Sequence, residues 1–171
     1  MGDEMKIVIR NVKEEDIPNV VDLNIECWRK AYKGIIDDEF LDSMNRDIII
    51  ERRKNDYNNG YFIVAENNNQ IAGFCRYDDK VNSEDSNDFD CEIIALYVKY
   101  DLKGQGIGRQ MINYVKNDLK NKGKNKLVIW CLKENYPSRK FYEKMGGVII
   151  GEHNTTFGGK DYPEVGFGYD L

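Results

Sequence analysis

The sequence predicts an α+β fold built around a mixed β-sheet. Three observations support this prediction: apolar runs of strand length alternate with stretches of helical spacing, a strand–helix–strand unit lies in the middle of the chain, and two strand-like runs close it. The 171 residues, of which 41% are hydrophobic, suit one compact domain. With no internal repeat and no evident boundary, we expect a single domain over residues 1–171.

The first half of the chain predicts a strand, three helical stretches and a hairpin. Residues 6–10 alternate as a short strand. Helical spacing follows in three places: 17–32, a short helix that Asp37 can cap and that carries Phe40, Leu41 and Met44, and about 47–54. Two strand-like runs flank a turn cluster and should pair as an antiparallel hairpin: 61–65, Asn67-Asn68-Asn69 and 71–77.

The second half predicts the strand–helix–strand unit and a closing pair of strands. Residues 91–98 form a nearly continuous apolar strand, 106–121 an amphipathic helix, and 127–132 a second buried strand, so the two strands should run parallel. Asn135 can cap a helix that ends at Gly146-Gly147. The last strands are expected at 148–150 and 165–171.

Composition narrows the class of protein. A net charge of −5 argues against nucleic acid as a partner, and no apolar run is long enough for a membrane span or a secretory signal. We therefore expect a cytoplasmic protein with no membrane partner. The four cysteines form no CxxC pair and lie among apolar residues, which indicates reduced, buried thiols and no metal: Cys27, Cys75, Cys91 and Cys131.

The excess of negative charge lies in one segment, residues 78–90. It contains six acids against one lysine: Asp78, Asp79, Glu84, Asp85, Asp88 and Asp90. One interpretation is electrostatic steering of cationic amines, such as polyamines or basic peptide ends, toward a nearby cleft. The other is a solvated, flexible loop.

A glycine-rich turn at 102–109 follows a buried strand and opens a helix. Glycines let several backbone N–H groups face one side, and the positive end of the helix favours an anion, so this turn predicts a phosphate site. A dinucleotide-binding GxGxxG would need glycine at position 109, where the chain has Arg109. A P-loop would need Gly-Lys-Ser/Thr after its second glycine, which is also missing.

The turn resembles the central motif of the Gcn5-related N-acetyltransferase (GNAT) family, Gln/Arg-x-x-Gly-x-Gly/Ala, here Lys103-x-x-Gly106-x-Gly108. The resemblance extends over nearly the whole chain, with 135–146 similar to the family's second cofactor motif. It implies a three-layer α/β/α fold with a mostly antiparallel sheet of six to seven strands and about four helices. Lys103 departs from the usual glutamine or arginine and replaces it by a flexible point charge.

The resemblance also implies the cofactor, acetyl-CoA, and the residues that hold it. Backbone N–H groups of the turn would bind the pyrophosphate, and the end of the strand at 91–98 would pair with the pantetheine arm. The implied set is Leu96, Tyr97, Val98, Lys103, Gly104, Gln105, Gly106, Ile107, Gly108, Arg109, Asn135, Ser138 and Tyr142. A backbone N–H near Tyr97 or Val98 would meet the developing oxyanion.

Two residues are candidates for the chemistry of direct acetyl transfer in a ternary complex. A substrate ammonium must lose a proton, and Glu92, at the start of an apolar strand, is the candidate base because partial burial would raise its pKa. Tyr142, by resemblance, would protonate the departing CoA thiolate. Trp28 and Tyr32 are candidates to line the acceptor site beside Glu92, although aromatic residues on a helix face more often belong to the core.

Other interpretations stay open at this point. The same fold could serve as an acyl-CoA sensor or interaction module without turnover. His153 has no evident catalytic partner and is expected in a late strand or turn, and Cys131 is expected to be a small buried residue. For the enzyme, we expect the acceptor to be a primary amine of a small molecule or peptide. The sequence leaves the oligomeric state open, and a homodimer is one of the states it allows.

Overall fold

The computed structural model describes residues 4–83, 85–86 and 88–171 and is built on one seven-stranded sheet. The strands are β1 (Ile7–Asn11), β2 (Tyr61–Asn67), β3 (Gln70–Asp78), β4 (Cys91–Val98), β5 (Lys126–Leu132), β6 (Val148–Phe157) and β7 (Lys160–Asp170). Their order across the sheet is β1-β2-β3-β4-β5-β7-β6. The β4–β5 pair is parallel, and the five other neighbouring pairs are antiparallel.

Five α-helices are present in the described part of the chain, one more than the approximate number predicted. They are α1 (Ile17–Ala31), α2 (Asp38–Asp42), α3 (Arg46–Asn59), α4 (Ile107–Asn121) and α5 (Tyr136–Lys144). Short 3₁₀ turns precede α1 and α4, at Glu14–Asp16 and Tyr100–Leu102. No helix in these described residues is long and apolar enough to cross a membrane.

The helices form two layers, one on each face of the sheet. Apolar side chains of α1 and α3 pack with one set of strand residues, including Val64 and Phe74, into one buried cluster. Apolar side chains of α4 and α5 pack with the opposite set, including Ile63 and Cys75, into another. The three-layer α+β fold with a mixed sheet is therefore confirmed.

The structure differs from the prediction at the Asp37 cap and in the length of the third helix. Asp37 lies at the N-terminus of α2 but makes no capping hydrogen bond; its carboxylate instead accepts one of 3.0 Å from the ammonium of Lys160. The third helix is longer than predicted. It begins at Arg46 because Asn45 caps it by accepting a hydrogen bond of 3.1 Å from the amide of Ile48. Its later turns are mostly polar, so they carry no apolar spacing from which a helix could be predicted.

The first hairpin turns where the sequence predicts. Asn68 and Asn69 both have positive φ, 49° and 64°, and join β2 to β3. Consecutive left-handed residues match the right-handed twist of the strands, and asparagine tolerates that conformation better than most residues.

The two parallel strands separate soon after they start. They pair only at Cys91↔Leu127, Glu92↔Val128 and Ile93↔Ile129. Beyond that point β4 stays with β3, and β5 stays with β7. The β3–β4 register skips Ile94, so the alternation of β4 changes faces: Ile93 packs with the α4 cluster and Ala95 with the α1 cluster. The gap between the strands opens the sheet in its middle.

Candidate active site

A cavity of about 620 Å³ occupies the gap between the separated strands. Its floor comes from the strand segments 94–98 and 129–132, and helices α1, α4 and α5 supply most of the remaining wall together with the glycine-rich turn. Side chains from α3, β6 and β7 complete it: Arg52, Arg53, Phe157 and Glu164. Because β4 beyond Ile93 is paired only with β3, every second residue of this part turns its backbone N–H and C=O groups toward the cavity as an open sheet edge. An extended ligand can pair with such an edge.

The glycine-rich turn forms one end of the cavity. Gly104 and Gly106 are left-handed, with φ of 79° and 85°, and a Cβ at either position would meet no atom within 4 Å. The glycines are therefore needed for backbone direction, and the space beside them is open to a ligand. Gly106 is also the N-cap of α4 and has no side chain to satisfy the first amides, so these amides are available to a ligand.

The residues of the glycine-rich turn differ in whether they line the cavity. Lys103, Ile107 and Arg109 line the cavity, whereas Gln105 does not. The ammonium of Lys103 lies 5.0 Å from the ring centre of Tyr100, which holds this charge beside the turn. A Cβ on Gly108 would lie 3.0 Å from the ring of Phe141, so this glycine permits close packing of α4 on α5.

The segment predicted to be the second cofactor motif, residues 135–146, lines the cavity mainly through α5. Asn135 is buried and accepts a hydrogen bond of 3.4 Å from the amide of Ser138, which caps the helix, and both residues line the cavity. Tyr142 lines the cavity from the same helix, and its hydroxyl has no hydrogen-bond partner among the described residues. Burial raises the pKa of Tyr142 well above its usual range, so its phenol stays protonated at neutral pH.

Aromatic residues of α1 form another wall. The indole N–H of Trp28 donates to the hydroxyl of Tyr97 at 2.9 Å, and the hydroxyls of Tyr32 and Tyr97 are 3.4 Å apart. All three line the cavity. The role of Trp28 and Tyr32 at an acceptor site stays a prediction, and both also pack in a small buried cluster with Phe40 and Phe157.

Glu92 does not line the main cavity. It lines an adjoining recess of about 270 Å³, whose wall shares Ile94, Trp130 and Glu164 with the cavity. Its carboxylate accepts a hydrogen bond of 2.8 Å from the amide of Asn82. Burial raises the pKa of Glu92, and the Asn82 hydrogen bond opposes that rise. The structure thus brings Tyr142 and the glycine turn to one cavity and leaves Glu92 in its side recess.

Sequence reasoning missed Glu164, which lines both the cavity and the recess. One of its oxygens is 3.0 Å from Nε2 of His153, its register partner across the last hairpin. A signal for this pair was available, because both residues lie five positions from the turn at Gly158-Gly159. His153 is in β6, as the expectation of a late strand allowed.

The described acids of the acidic segment, residues 78–90, have different partners. Four of its acids are held separately: Asp78 pairs with buried Arg76 at 2.7 Å, Asp79 accepts from Tyr61 at 3.0 Å, Asp85 lies 3.0 Å from His153, and Asp90 accepts from the amides of Asn125 and Lys126. Glu84 lies outside the described residues. Ser86 is buried and accepts a hydrogen bond from Trp130. The segment therefore contacts β6 through Asp85 and β5 through Ser86, and both interpretations of its charge stay predictions.

The cysteines are all buried and unpaired, in agreement with the prediction of free thiols. Cys131 lines the cavity, and burial raises its pKa to about 12. Its thiol is therefore protonated at neutral pH and is a poor nucleophile. No group of three or more metal-ligating side chains is found within the part of the chain that the structure describes.

Comparison with known proteins identifies the family. The sequence model of the Acetyltransferase (GNAT) family matches residues 17–147. YuaI of Bacillus subtilis, an uncharacterized N-acetyltransferase, is 26% identical over 163 residues that cover 95% of this chain and 92% of the relative. Rv2775 of Mycobacterium tuberculosis, a probable N-acetyltransferase, is 28% identical over 167 residues, covering 94% and 92%.

A solved structure shares the fold. PaiA N-acetyltransferase from Thermoplasma acidophilum, in complex with coenzyme A, has a TM-score of 0.78 at 22% identity and covers 98% of this chain and 100% of its own. Together with the family match, this similarity confirms the resemblance drawn from the glycine turn. The chain belongs to the GNAT family, and it is an acetyltransferase.

Proposed function

We propose that the protein transfers an acetyl group from acetyl-CoA to a primary amine of a small molecule or peptide, by direct attack in a ternary complex. One observation carries this proposal: β4 and β5 separate after Ile93, and the cavity between them joins an open strand edge to a left-handed glycine turn. This geometry suits a long, partly extended ligand with phosphates at one end, which is the form of acetyl-CoA.

The residues of the cavity fit the cofactor by their chemistry. Open space beside Gly104 and Gly106 leaves room for a diphosphate against the first amides of α4, and the side chains of Lys103 and Arg109 add positive charge at that end. The free edge at 95–98 offers backbone donors and acceptors to the amides of the pantetheine arm. Asn135 and Ser138 of the α5 segment also line the cavity.

Acetyl-CoA would supply the acetyl thioester, and side chains of the protein would donate and accept the protons of the reaction. We assign to Tyr142 the role of donor to the departing sulfur, because its neutral phenol lines the cavity and is not engaged by another described residue. An amide of the free β4 edge near Tyr97 or Val98 would stabilise the negative charge on the carbonyl oxygen.

The amine must be neutral before it can attack, so its proton needs an acceptor. We assign this role to Glu92. Its carboxylate lies in the recess beside the cavity, so a water molecule in that recess would carry the proton from the amine. Burial raises the pKa of Glu92, which makes the carboxylate a better base than an exposed one.

Release of CoA thiol tests the proposal. Purified protein is mixed with acetyl-CoA and a panel of primary amines, and thiol release is followed with a chromogenic disulfide. At least one amine should accelerate release well above hydrolysis, and mass spectrometry should find the acetylated amine. If acetyl-CoA binds but no amine accelerates release, the fold serves as a binding module and the proposed reaction is wrong.

A further inference from the structure

The wall of the recess contains a histidine, His153, whose ring lies between two carboxylates. Nε2 of His153 is 3.0 Å from Oε1 of Glu164, and Nδ1 is 3.0 Å from Oδ2 of Asp85. A neutral imidazole carries one N–H and can donate to one carboxylate, whereas an imidazolium donates to both. The arrangement therefore ties a residue of β7 to one of the acidic segment through a single ring.

Stacking on Trp130 also fixes the imidazole ring of His153. It stacks on the indole of Trp130 with centroids 3.7 Å apart and an interplanar angle of 18°. The indole N–H in turn donates to the hydroxyl of buried Ser86 at 3.0 Å. Two contacts with the acidic segment, at Asp85 and Ser86, thus hold the His153–Trp130 pair in place, and His153 holds Glu164.

Glu164 is the carboxylate of this group that lines the cavity. Its side chain is 19% exposed, and it lines both the cavity and the recess that contains Glu92. Oε1 of Glu164 is hydrogen-bonded to His153, while Oε2 of Glu164 has no hydrogen-bond partner among the described residues. A carboxylate with one oxygen fixed and the other available can orient a positively charged group.

We propose that Glu164 binds the amino group of the acceptor, and that His153 and Asp85 are positioning residues that aim its carboxylate. The ligand class is an aliphatic primary ammonium, because the neighbouring wall combines this carboxylate with the apolar surfaces of Ile94 and Trp130. The inference rests on the proposed function: Glu164 holds the amino group at the mouth of the recess, and Glu92 accepts its proton.

His153 is the sole histidine of the chain, so its imidazole gives one assignable set of NMR signals. Butylammonium chloride is titrated into the wild-type protein without acetyl-CoA, at fixed pH and ionic strength, with butan-1-ol as the uncharged probe. Butylammonium should shift the His153 signals in a saturable way, and butan-1-ol should not. Equal shifts with both probes, or no saturable shift with butylammonium, would overturn the proposal.

A matched pair of variants locates the effect. Glu164→Gln removes the charge from the wall and should abolish the butylammonium shift. Glu152→Gln removes a carboxylate from the neighbouring position of β6, where Glu152 pairs with Lys133 on the surface, and should keep the shift. If Glu164→Gln binds butylammonium as the wild type does, Glu164 does not hold the amine.

Kinetics separate this proposal from the proposed function. With any amine that the thiol-release assay identifies, Glu164→Gln should raise KM for the amine about tenfold or more and leave KM for acetyl-CoA unchanged. His153→Gln, which keeps a donor toward Glu164, should raise KM for the amine less than His153→Ala does. If Glu164→Gln has the wild-type KM for the amine, Glu164 does not bind the amine, although the protein still transfers acetyl groups. If the wild type transfers no acetyl group, the proposed function is wrong, and the NMR titration still tests amine binding by Glu164.

Discussion

The side-chain hydroxyl of Tyr169 donates a hydrogen bond of 2.7 Å to the backbone carbonyl of Tyr142. The amide of Gly147 donates to the same carbonyl at 3.0 Å, so two donors fix the end of α5 where the proposed proton donor lies. A Cβ on Gly147 would lie 2.8 Å from the Tyr169 hydroxyl, and the glycine is therefore needed for this contact. The last strand of the chain thereby helps to position Tyr142 in the cavity.

Tyr169→Phe should cost about 1 kcal/mol of unfolding free energy, because one buried hydrogen bond is lost while Gly147 still satisfies the carbonyl. Urea unfolding measures the change. Tyr57→Phe, at a partly exposed position of α3, is the control and should leave the midpoint unchanged. A Tyr169→Phe protein as stable as the control would show that the contact contributes nothing.

Tyr142→Phe should lower kcat about 100-fold and leave KM for acetyl-CoA nearly unchanged, because it removes a proton donor without opening a cavity. The raised pKa of Tyr142 means that the phenol stays protonated as pH rises, so the wild-type rate should show no alkaline loss from this group through pH 9. Tyr136→Phe, on the same helix and 60% exposed, should behave as wild type. Equal rates for the two variants would rule out the assigned role.

Glu92→Gln should remove the acidic limb of the kcat/KM profile along with most of the activity. The base must be ionised, and burial raises its pKa, so the wild-type rate should fall on acidification at a higher pH than an exposed glutamate would give. A raised pKa also means that folding disfavours the charged form. Glu92→Gln should therefore lose no stability at neutral pH, which thermal unfolding can check. An unchanged pH profile would exclude Glu92 as the base.

Gly106→Ala and Gly123→Ala form a matched pair at opposite ends of α4. Both glycines have positive φ, 85° and 80°, and a Cβ at either site would meet no atom within 4 Å. Each change should cost about 1 kcal/mol of stability, since a left-handed residue other than glycine is strained. Only Gly106→Ala should weaken acetyl-CoA binding, about tenfold, as measured by calorimetry. Equal affinities would place the phosphates away from this turn.

Much of the fold and part of the site could be predicted from local sequence signals. The glycine turn, the amphipathic α4 and the Asn135 cap are each encoded by a few adjacent residues, and the structure has all three. The pairing of β4 with β5 followed from the strand–helix–strand order. These features depend on backbone preferences and periodicity within single elements.

The position of Glu92 relative to the cavity-lining residues of β4 that follow it could not be predicted in the same way. The register irregularity at Ile94 changes which face each later residue of β4 occupies, and nothing within the apolar run 93–96 marks it. The side recess, and the tie between Asp85 and His153, depend on how the acidic segment folds back onto β5 and β6. Such long-range contacts have no local pattern, although the His153–Glu164 register could be counted from the last hairpin turn.

Backbone amide NMR during a titration with acetyl-CoA tests whether the cofactor binds between the glycine turn and the free edge of β4. We expect the largest shift changes at the amides of 104–109 and along the free edge of β4 at 95–98, because these groups would contact the diphosphate and the pantetheine arm. Smaller changes are expected at the outer strand β6. Saturable binding that leaves the turn and the β4 edge unshifted, or no binding by folded protein, would contradict this expectation.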